Sequence, residues 1–167
     1  MLAQRLQQVA DILQAKDFQQ ALDALTEIES SGAESADFWQ LLALAHKGLG
    51  ELKNAEDSFL KSVQLLPQAH VLTNLANFYR QQRRHEEAET RYQQALELDS
   101  SHLPARVNYG QLLLEVKQLT ASAQQFAAAL EQKPEHLNAQ IGLAQASQQL
   151  GDQENALALF QKVLSID

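Results

Sequence analysis

The chain has no cysteine, six glycines, three prolines and few aromatic side chains among its 167 residues. Without cysteine there is no disulfide scaffold, thiol nucleophile or thiolate metal site. The glycines stand singly at Gly32, Gly48, Gly50, Gly110, Gly142 and Gly151, so no glycine-rich loop cradles a phosphate and no Gly-x-Ser-x-Gly turn presents a serine. Basic charge is also scarce: 13 Lys and Arg face 21 Asp and Glu, a formal charge of −8. Such a surface does not suit non-specific binding to nucleic acid or anionic membrane. No apolar run approaches the ~20 residues that span a bilayer, and the N-terminus lacks a signal-peptide core. The expected compartment is the cytoplasm, and the wealth of glutamine points to a bacterial source.

What is abundant is Ala, Leu and Gln, which make up nearly half the chain and are all good helix formers. Val, Ile and Thr are too few for a sheet. The helical residues carry a period. A small residue, then a Leu or aromatic four places on, then a small or apolar residue three further, occurs five times: Ala21-Leu25-Ile28, Ala55-Phe59-Ser62, Ala88-Tyr92-Ala95, Ser122-Phe126-Ala129 and Ala156-Phe160-Val163. The first members are spaced by 34, 33, 34 and 34 residues. Steps of three and four put these side chains on one helical face.

A second pattern precedes the later four: Trp39-Leu42-Ala43-His46, Leu72-Leu75-Ala76-Tyr79, Arg106-Tyr109-Gly110-Leu113 and Gln140-Leu143-Ala144-Ser147. Its small member lets a neighbouring helix approach, and the Leu or aromatic of the first pattern fills the space beside it. Polar breakers divide the two patterns at Lys16-Asp17, Gly50-Glu51, Arg83-Arg84, Lys117-Gln118 and Gly151-Asp152. Gly50 and Gly151 suit a left-handed helix end, Pro67 and Pro134 stop a helix, and Pro104 suits a first turn. Each period therefore reads as two helices of about 12 to 14 residues joined by tight turns.

This period, the Trp-x2-Leu-small-x2-aromatic pattern and the later Ala-x3-Phe-x2-Ala-x4-Pro pattern resemble the tetratricopeptide repeat. The resemblance covers the whole chain as one domain of five repeats, at about 2–35, 36–68, 69–102, 103–136 and 137–167. It implies an all-α fold: a right-handed α-solenoid of stacked antiparallel helix pairs, ten helices in all. Gln8 stands where the first repeat should be apolar, so that repeat is expected to be a degenerate cap. The junction at 68–69 is one residue short and should turn more tightly.

No catalytic constellation is visible. The histidines (His46, His70, His85, His102, His136) form no i,i+3 or i,i+4 pair for a metal. His102 and His136 are read as turn residues and His46 as an interhelix one. Glu86, Glu87 and Glu89 sit at a helix start and Arg80, Arg83, Arg84 and His85 around a helix end, where the macrodipole favours each sign. The expectation is a non-enzyme with no cofactor and no metal.

The resemblance assigns partner binding to first-helix residues that packing does not use. These are Gln40, Leu44 and Lys47; Thr73, Asn74, Asn77 and Arg80; Val107, Asn108, Gln111 and Leu114; and Asn138, Ile141, Gln145 and Gln148. Amides both donate and accept, so this face could hold the backbone of a peptide or helix from a protein partner. Asn74 and Asn108, one repeat apart, could form a ladder of such amides; the alternative reading is that they are solvated or brace the helix pair. Relatives that grip the C-terminal carboxylate of chaperones use cations on two helices with Asn between them. Asn77 and Asn108 match the amides, but Thr73, Asn138 and Gly142 replace the cations, so that ligand is not expected here.

The last helix, read as Gln153 to Ile166, carries Ala156, Leu157, Leu159, Phe160, Val163, Leu164 and Ile166, and an interior repeat would pack part of that surface on the next unit. Two expectations follow: the sequence is a fragment of a longer protein, or another chain, such as a second copy in a homodimer, covers that end. The first carries an alternative function, the non-catalytic front module of an enzyme such as a sulfotransferase or glycosyltransferase.

Overall fold

The computed structural model describes residues 1–164. Ile166, expected in the last helix, lies outside the described residues. Eleven helices and no strand occur among the described residues. They are α1 (Leu2–Gln14), α2 (Phe18–Glu27), α3 (Glu29–Gly32), α4 (Ala36–Gly48), α5 (Leu52–Leu65), α6 (Ala69–Gln81), α7 (His85–Leu98), α8 (Leu103–Glu115), α9 (Leu119–Gln132), α10 (Leu137–Leu150) and α11 (Gln153–Leu164).

Ten of these are the expected repeat helices; α3 is an additional single turn. Ile28 leaves helical geometry at φ −112° and ψ 8°, which ends α2. The chain then winds once more, because the Ser31 and Gly32 amides both bond back to the Ile28 carbonyl. Gly32 closes that turn against the Phe38 ring, where a Cβ would lie 2.4 Å from the nearest ring atom.

The turn inside each repeat has one backbone solution. Lys16, Gly50, Arg83, Lys117 and Gly151 all have positive φ, between 60° and 88°. Each is the first residue of a breaker pair. The second residue of each pair donates its amide to a carbonyl five back: Asp17 to Ile12, Glu51 to His46, Arg84 to Tyr79, Gln118 to Leu113 and Asp152 to Ser147. That wider bond satisfies the last carbonyls of the first helix while the chain reverses. Three of the five positions carry a Lys or Arg, which gains from the helix C-terminus but bears the cost of a left-handed backbone.

Between repeats the chain has no such turn. The 66–68 connection has three residues, whereas 99–102 and 133–136 have four, so the short junction is indeed the tighter one. Pro67 and Pro134 fall in connections and Pro104 in the first turn of α8.

The chain divides into two compact units, Met1–Val71 and Leu72–Asp167. In the first, α1 packs on α2 and α4, α2 on α4, and α4 on α5. Its core gathers Leu6, Val9, Leu25, Ile28 and Phe38 around Ala21 and Ala45. Gln8 is exposed, but Leu6 and Val9 are buried, so α1 is a packed helix of a full pair. In the second unit α7 packs on α8, α8 on α9, α9 on α10 and α10 on α11; α8 and α10 also touch. There Phe126 is fully buried between two glycines of the first helices, Gly110 on α8 and Gly142 on α10. Full burial of such a ring is worth roughly 1.5–3 kcal/mol. The equivalent Phe59 and Tyr92 are equally buried, whereas Phe160 on α11 keeps part of its surface exposed.

Candidate groove between first helices

In each unit a cavity opens where two first helices run side by side. In the second unit it has a volume of about 320 Å³ and lies between α8 and α10. Val107 and Ile141 give it aliphatic side chains, Asn108, Gln111, Asn138 and Gln145 give it amides, and the buried Gly142 completes the lining. Arg80, from the end of α6, reaches the same cavity. In the first unit the cavity has about 400 Å³ and lies between α1 and α4. Leu2, Leu6, Ala10 and Leu41 line it, with Gln7, Gln40 and Asp37 as polar members. In the second unit Phe126 of the second helix α9 packs against Gly110 and Gly142 of the two first helices; in the first unit Leu25 of α2 stands at the matching place.

The expected face residues distribute unevenly. Arg80, Val107, Asn108, Gln111, Ile141 and Gln145 come together around the second-unit cavity, and so does Asn138. Gln148, a turn further along α10, is exposed. Gln40 lines the first-unit cavity, where its side-chain carbonyl accepts from His70 Nε2 at 3.0 Å. Leu44 and Lys47 are half-buried, and burial pushes the Lys47 ammonium below its ordinary pKa. Thr73 and Leu114 are buried, as is Val107, but unlike Val107 they do not line the second-unit cavity. Asn77 accepts a hydrogen bond from Tyr92 Oη at 2.5 Å, so its carbonyl braces α6 against α7. Asn74 is half-buried on the same helix.

A polar cluster surrounds Arg80. Its Nη1 donates to the Asn108 carbonyl at 3.3 Å, and its Nε lies 3.9 Å from Glu115 Oε1. Burial pushes the Tyr92 hydroxyl up to about 12; the neighbouring Arg80 charge opposes that rise and Glu115 adds to it. Tyr92 stacks on Tyr109 at 5.9 Å, and Tyr109 Oη donates to Glu89 at 2.7 Å. Burial and that bond raise the Tyr109 pKa as well.

Three of the histidines stand at helix ends and turns. His46 Nδ1 sits 2.6 Å from Glu51 Oε2, and the Glu51 carboxyl is held low by hydrogen bonds from Asn54 and His46. His102 and His136 stand at the N-caps of α8 and α10, and His136 Nδ1 accepts from the Ala139 amide at 3.3 Å. Among the described residues no three His, Asp or Glu side chains are grouped to hold a metal. No described helix is long and apolar enough to cross a membrane.

One repeated device has no signal in residue type. Trp39 Nε1 donates to the Ala33 carbonyl at 2.9 Å, Arg106 Nη2 to Ser100 at 2.6 Å, and Gln140 Nε2 to Pro134 at 2.7 Å. Each bond reaches six residues back, tying the connection between repeats to the next first helix. Leu72, at the matching place after the short junction, has no donor.

Helix pairs stacked with their first helices adjacent define an α-solenoid repeat protein. The sequence profile of the tetratricopeptide repeat matches residues 11–70, 71–103 and 110–167, so the chain belongs to the tetratricopeptide repeat family. Members of this family are generally non-catalytic protein-interaction scaffolds. The chain is similar to the human (Homo sapiens) protein RRP5 homolog, 30% identical over 134 residues, which are 79% of this chain and 7% of that protein. It thus spans a small part of the length of the curated relatives it matches. Among solved structures, pilF of Pseudomonas aeruginosa superposes with a TM-score of 0.88 at 22% identity, covering 95% of this chain and 73% of that one. YrrB, described as a TPR protein with an unusual peptide-binding site, gives 0.78 at 20% identity, covering 98% and 84%.

Proposed function

We infer that this scaffold seats a peptide or helix of a protein partner in the groove between α8 and α10. The observation that carries this reading is the composition of that cavity. Two aliphatic side chains, the buried Val107 and the half-buried Ile141, lie among the amides of Asn108, Gln111, Asn138 and Gln145. Amides at Asn108, Gln111 and Gln145 can donate to and accept from an extended chain, while the aliphatic pair takes one apolar side chain. The first-unit cavity, more apolar and carrying Asp37, supports a second contact of different chemistry.

Capture of partners by the full chain tests the groove. Ile141→Asp is expected to lose partners that the exposed control Glu97→Lys keeps. If Ile141→Asp captures the same set with equal yield, the groove is not the binding surface.

A second reading has its own support. A match to 7% of a relative's length is what a module within a larger protein gives, so this scaffold can serve a longer chain by the same groove. At α11 the exposed Leu157 and half-buried Phe160 and Val163 support a helix-on-helix contact, with a second copy of the chain as one occupant. Light scattering that finds only monomer in concentrated solution would remove the second copy.

A further inference from the structure

Arg80 is a wall of two cavities in the second unit. One is the groove between α8 and α10. The other, of about 350 Å³, is lined by Arg80, Gln81, Arg83, His85 and Glu115. The groove is amide and aliphatic, with Arg80 its one charged lining residue. The second cavity sets three basic side chains against a single carboxylate.

These side chains differ in how well they are satisfied. Arg84, in the same turn, bonds to Glu87 at 2.7 Å and lies over the Tyr79 ring, so it is engaged. Arg83 is exposed and has no ion-pair partner among the described residues. Arg80 meets Glu115 only at 3.9 Å, longer than a charge-assisted bond of about 2.7–2.9 Å. Its direction is nevertheless fixed by the Asn108 carbonyl. His85 Nδ1 is buried without a hydrogen-bond partner. The lining of this cavity therefore holds more basic than acidic side chains, on a chain whose overall charge is −8, while Glu86 and Glu87 open the next helix beside it.

We propose that the two cavities together select an acidic–aliphatic segment of a partner protein: an Asp or Glu carboxylate lies against Arg80 and Arg83, and an aliphatic side chain a few residues away rests on Val107 and Ile141. Extended backbone advances about 3.3 Å per residue, so one short segment reaches from one cavity to the other across their common Arg80 wall. The incoming carboxylate takes the place of Glu115 beside Arg80, which makes Glu115 a built-in competitor. The cations come from the end of α6 and the turn after it, not from the positions that Thr73, Asn138 and Gly142 leave neutral. The proposal rests on the groove reading above and adds the chemistry of the ligand.

The test is selection of random displayed peptides on the full chain, followed by affinities of synthetic winners. Enriched peptides should carry Asp or Glu near Leu, Ile or Val. Their acidic forms should bind about tenfold tighter than the Asn or Gln forms, the worth of one charge-assisted contact. Arg83→Glu and Arg80→Glu should each erase that preference, and Glu115→Gln should increase it about threefold. Arg83 is exposed, so its variant keeps the test sound if Arg80→Glu disturbs folding. Equal binding of acidic and amide forms, or a preference that survives Arg83→Glu, overturns the proposal. If those same peptides are lost on Ile141→Asp, the groove stands and only the acidic preference falls. No enrichment, or peptides indifferent to Ile141→Asp, overturns both.

Discussion

The two units use the same helix pairs and turns but fill them with different chemistry. In the first, the connection between repeats is tied by an indole, the second-helix ring is the hydrocarbon Phe59, and the cavity beside α1 is mostly aliphatic. In the second, the ties are a guanidinium and an amide, Tyr92 stands at the place of Phe59 and Tyr109 at that of Leu42, and the cavity beside α8 is mostly amide. The period constrains size and position, not polarity. A polar group enters this frame wherever it finds a partner, as Tyr92 finds Asn77. The groove chemistry of the second unit is a consequence of that tolerance.

Alkali should separate the two units most strongly. All three tyrosines lie beyond residue 71, and the one tryptophan, Trp39, lies before it. The folded pKa of Tyr92, about 12, is raised above an unfolded value near 10, so its contribution is full below about pH 10 and is lost as pH rises through 12. That shift corresponds to about 2–3 kcal/mol. Urea unfolding followed by tyrosine absorbance should weaken steeply over this range, and Trp39 fluorescence should lag behind it. Tyr92→Phe should flatten the decline at the expense of about 1 kcal/mol at neutral pH from the lost bond to Asn77. An equal alkaline decline in wild type and variant would sink this account.

Next in size is the close approach at Phe126. A Cβ on Gly142 would lie 2.3 Å from the ring, which is fully buried and has nowhere to move. Overpacking costs about 1–3 kcal/mol and the gain in helix propensity returns about 1, so Gly142→Ala should destabilise by about 1–2 kcal/mol. Gly110→Ala, with its Cβ at 3.0 Å, should come out near neutral. In the first unit a Cβ on Gly48 meets the Phe18 ring at 2.2 Å, but Phe18 is partly exposed and can swing outward. Gly48→Ala should therefore cost less than Gly142→Ala despite the shorter contact. Thermal melts of the three variants decide the order; the reverse order would mean that ring freedom does not govern the cost.

Turn geometry is where the units should behave alike. Gly50 and Gly151 have positive φ with no atom near a built Cβ, so alanine there meets only backbone strain. Each should cost about 1 kcal/mol. Conversely, Lys117→Gly and Lys16→Gly should each gain up to ~1 kcal/mol, less the lost interaction with the helix end. A large difference between units at these matched positions would show that the turns are not a common frame.

Much of this frame could be read directly from the chain. All five left-handed residues fell on the breaker dipeptides, because reversal after a helix demands either glycine or a polar residue there. The single turn α3 has no signal in the sequence, because Glu29-Ser30-Ser31-Gly32 carries no apolar period. The site was harder to read. Thr73 and Leu114 share a helical face with groove residues but are buried, since the period cannot tell the rim of a stripe from its centre. Asn77 looked free because its partner, Tyr92, lies on another helix. The cavity beside α1 was obscured by Gln8, whose polarity made a well-packed helix look degenerate. The bonds from Trp39, Arg106 and Gln140 share only a position and a donor, which no residue pattern displays.

Those bonds supply the smallest and most discriminating difference. Trp39→Phe keeps an aromatic ring but removes the donor to Ala33, and should cost about 0.5–1 kcal/mol. Gln140 is fully buried, and while its Nε2 serves Pro134, its Oε1 has no partner. Gln140→Leu removes the bond and the orphaned oxygen together, and water can reach the freed carbonyl because Pro134 is exposed. The two changes offset, so the variant should stay within ~0.5 kcal/mol of wild type in urea unfolding. A loss well above that would mean that Oε1 is satisfied by a buried water. The polar tie of the second unit would then be worth more than the indole tie of the first, and polarity in this frame would be a source of stability rather than a tolerated substitution.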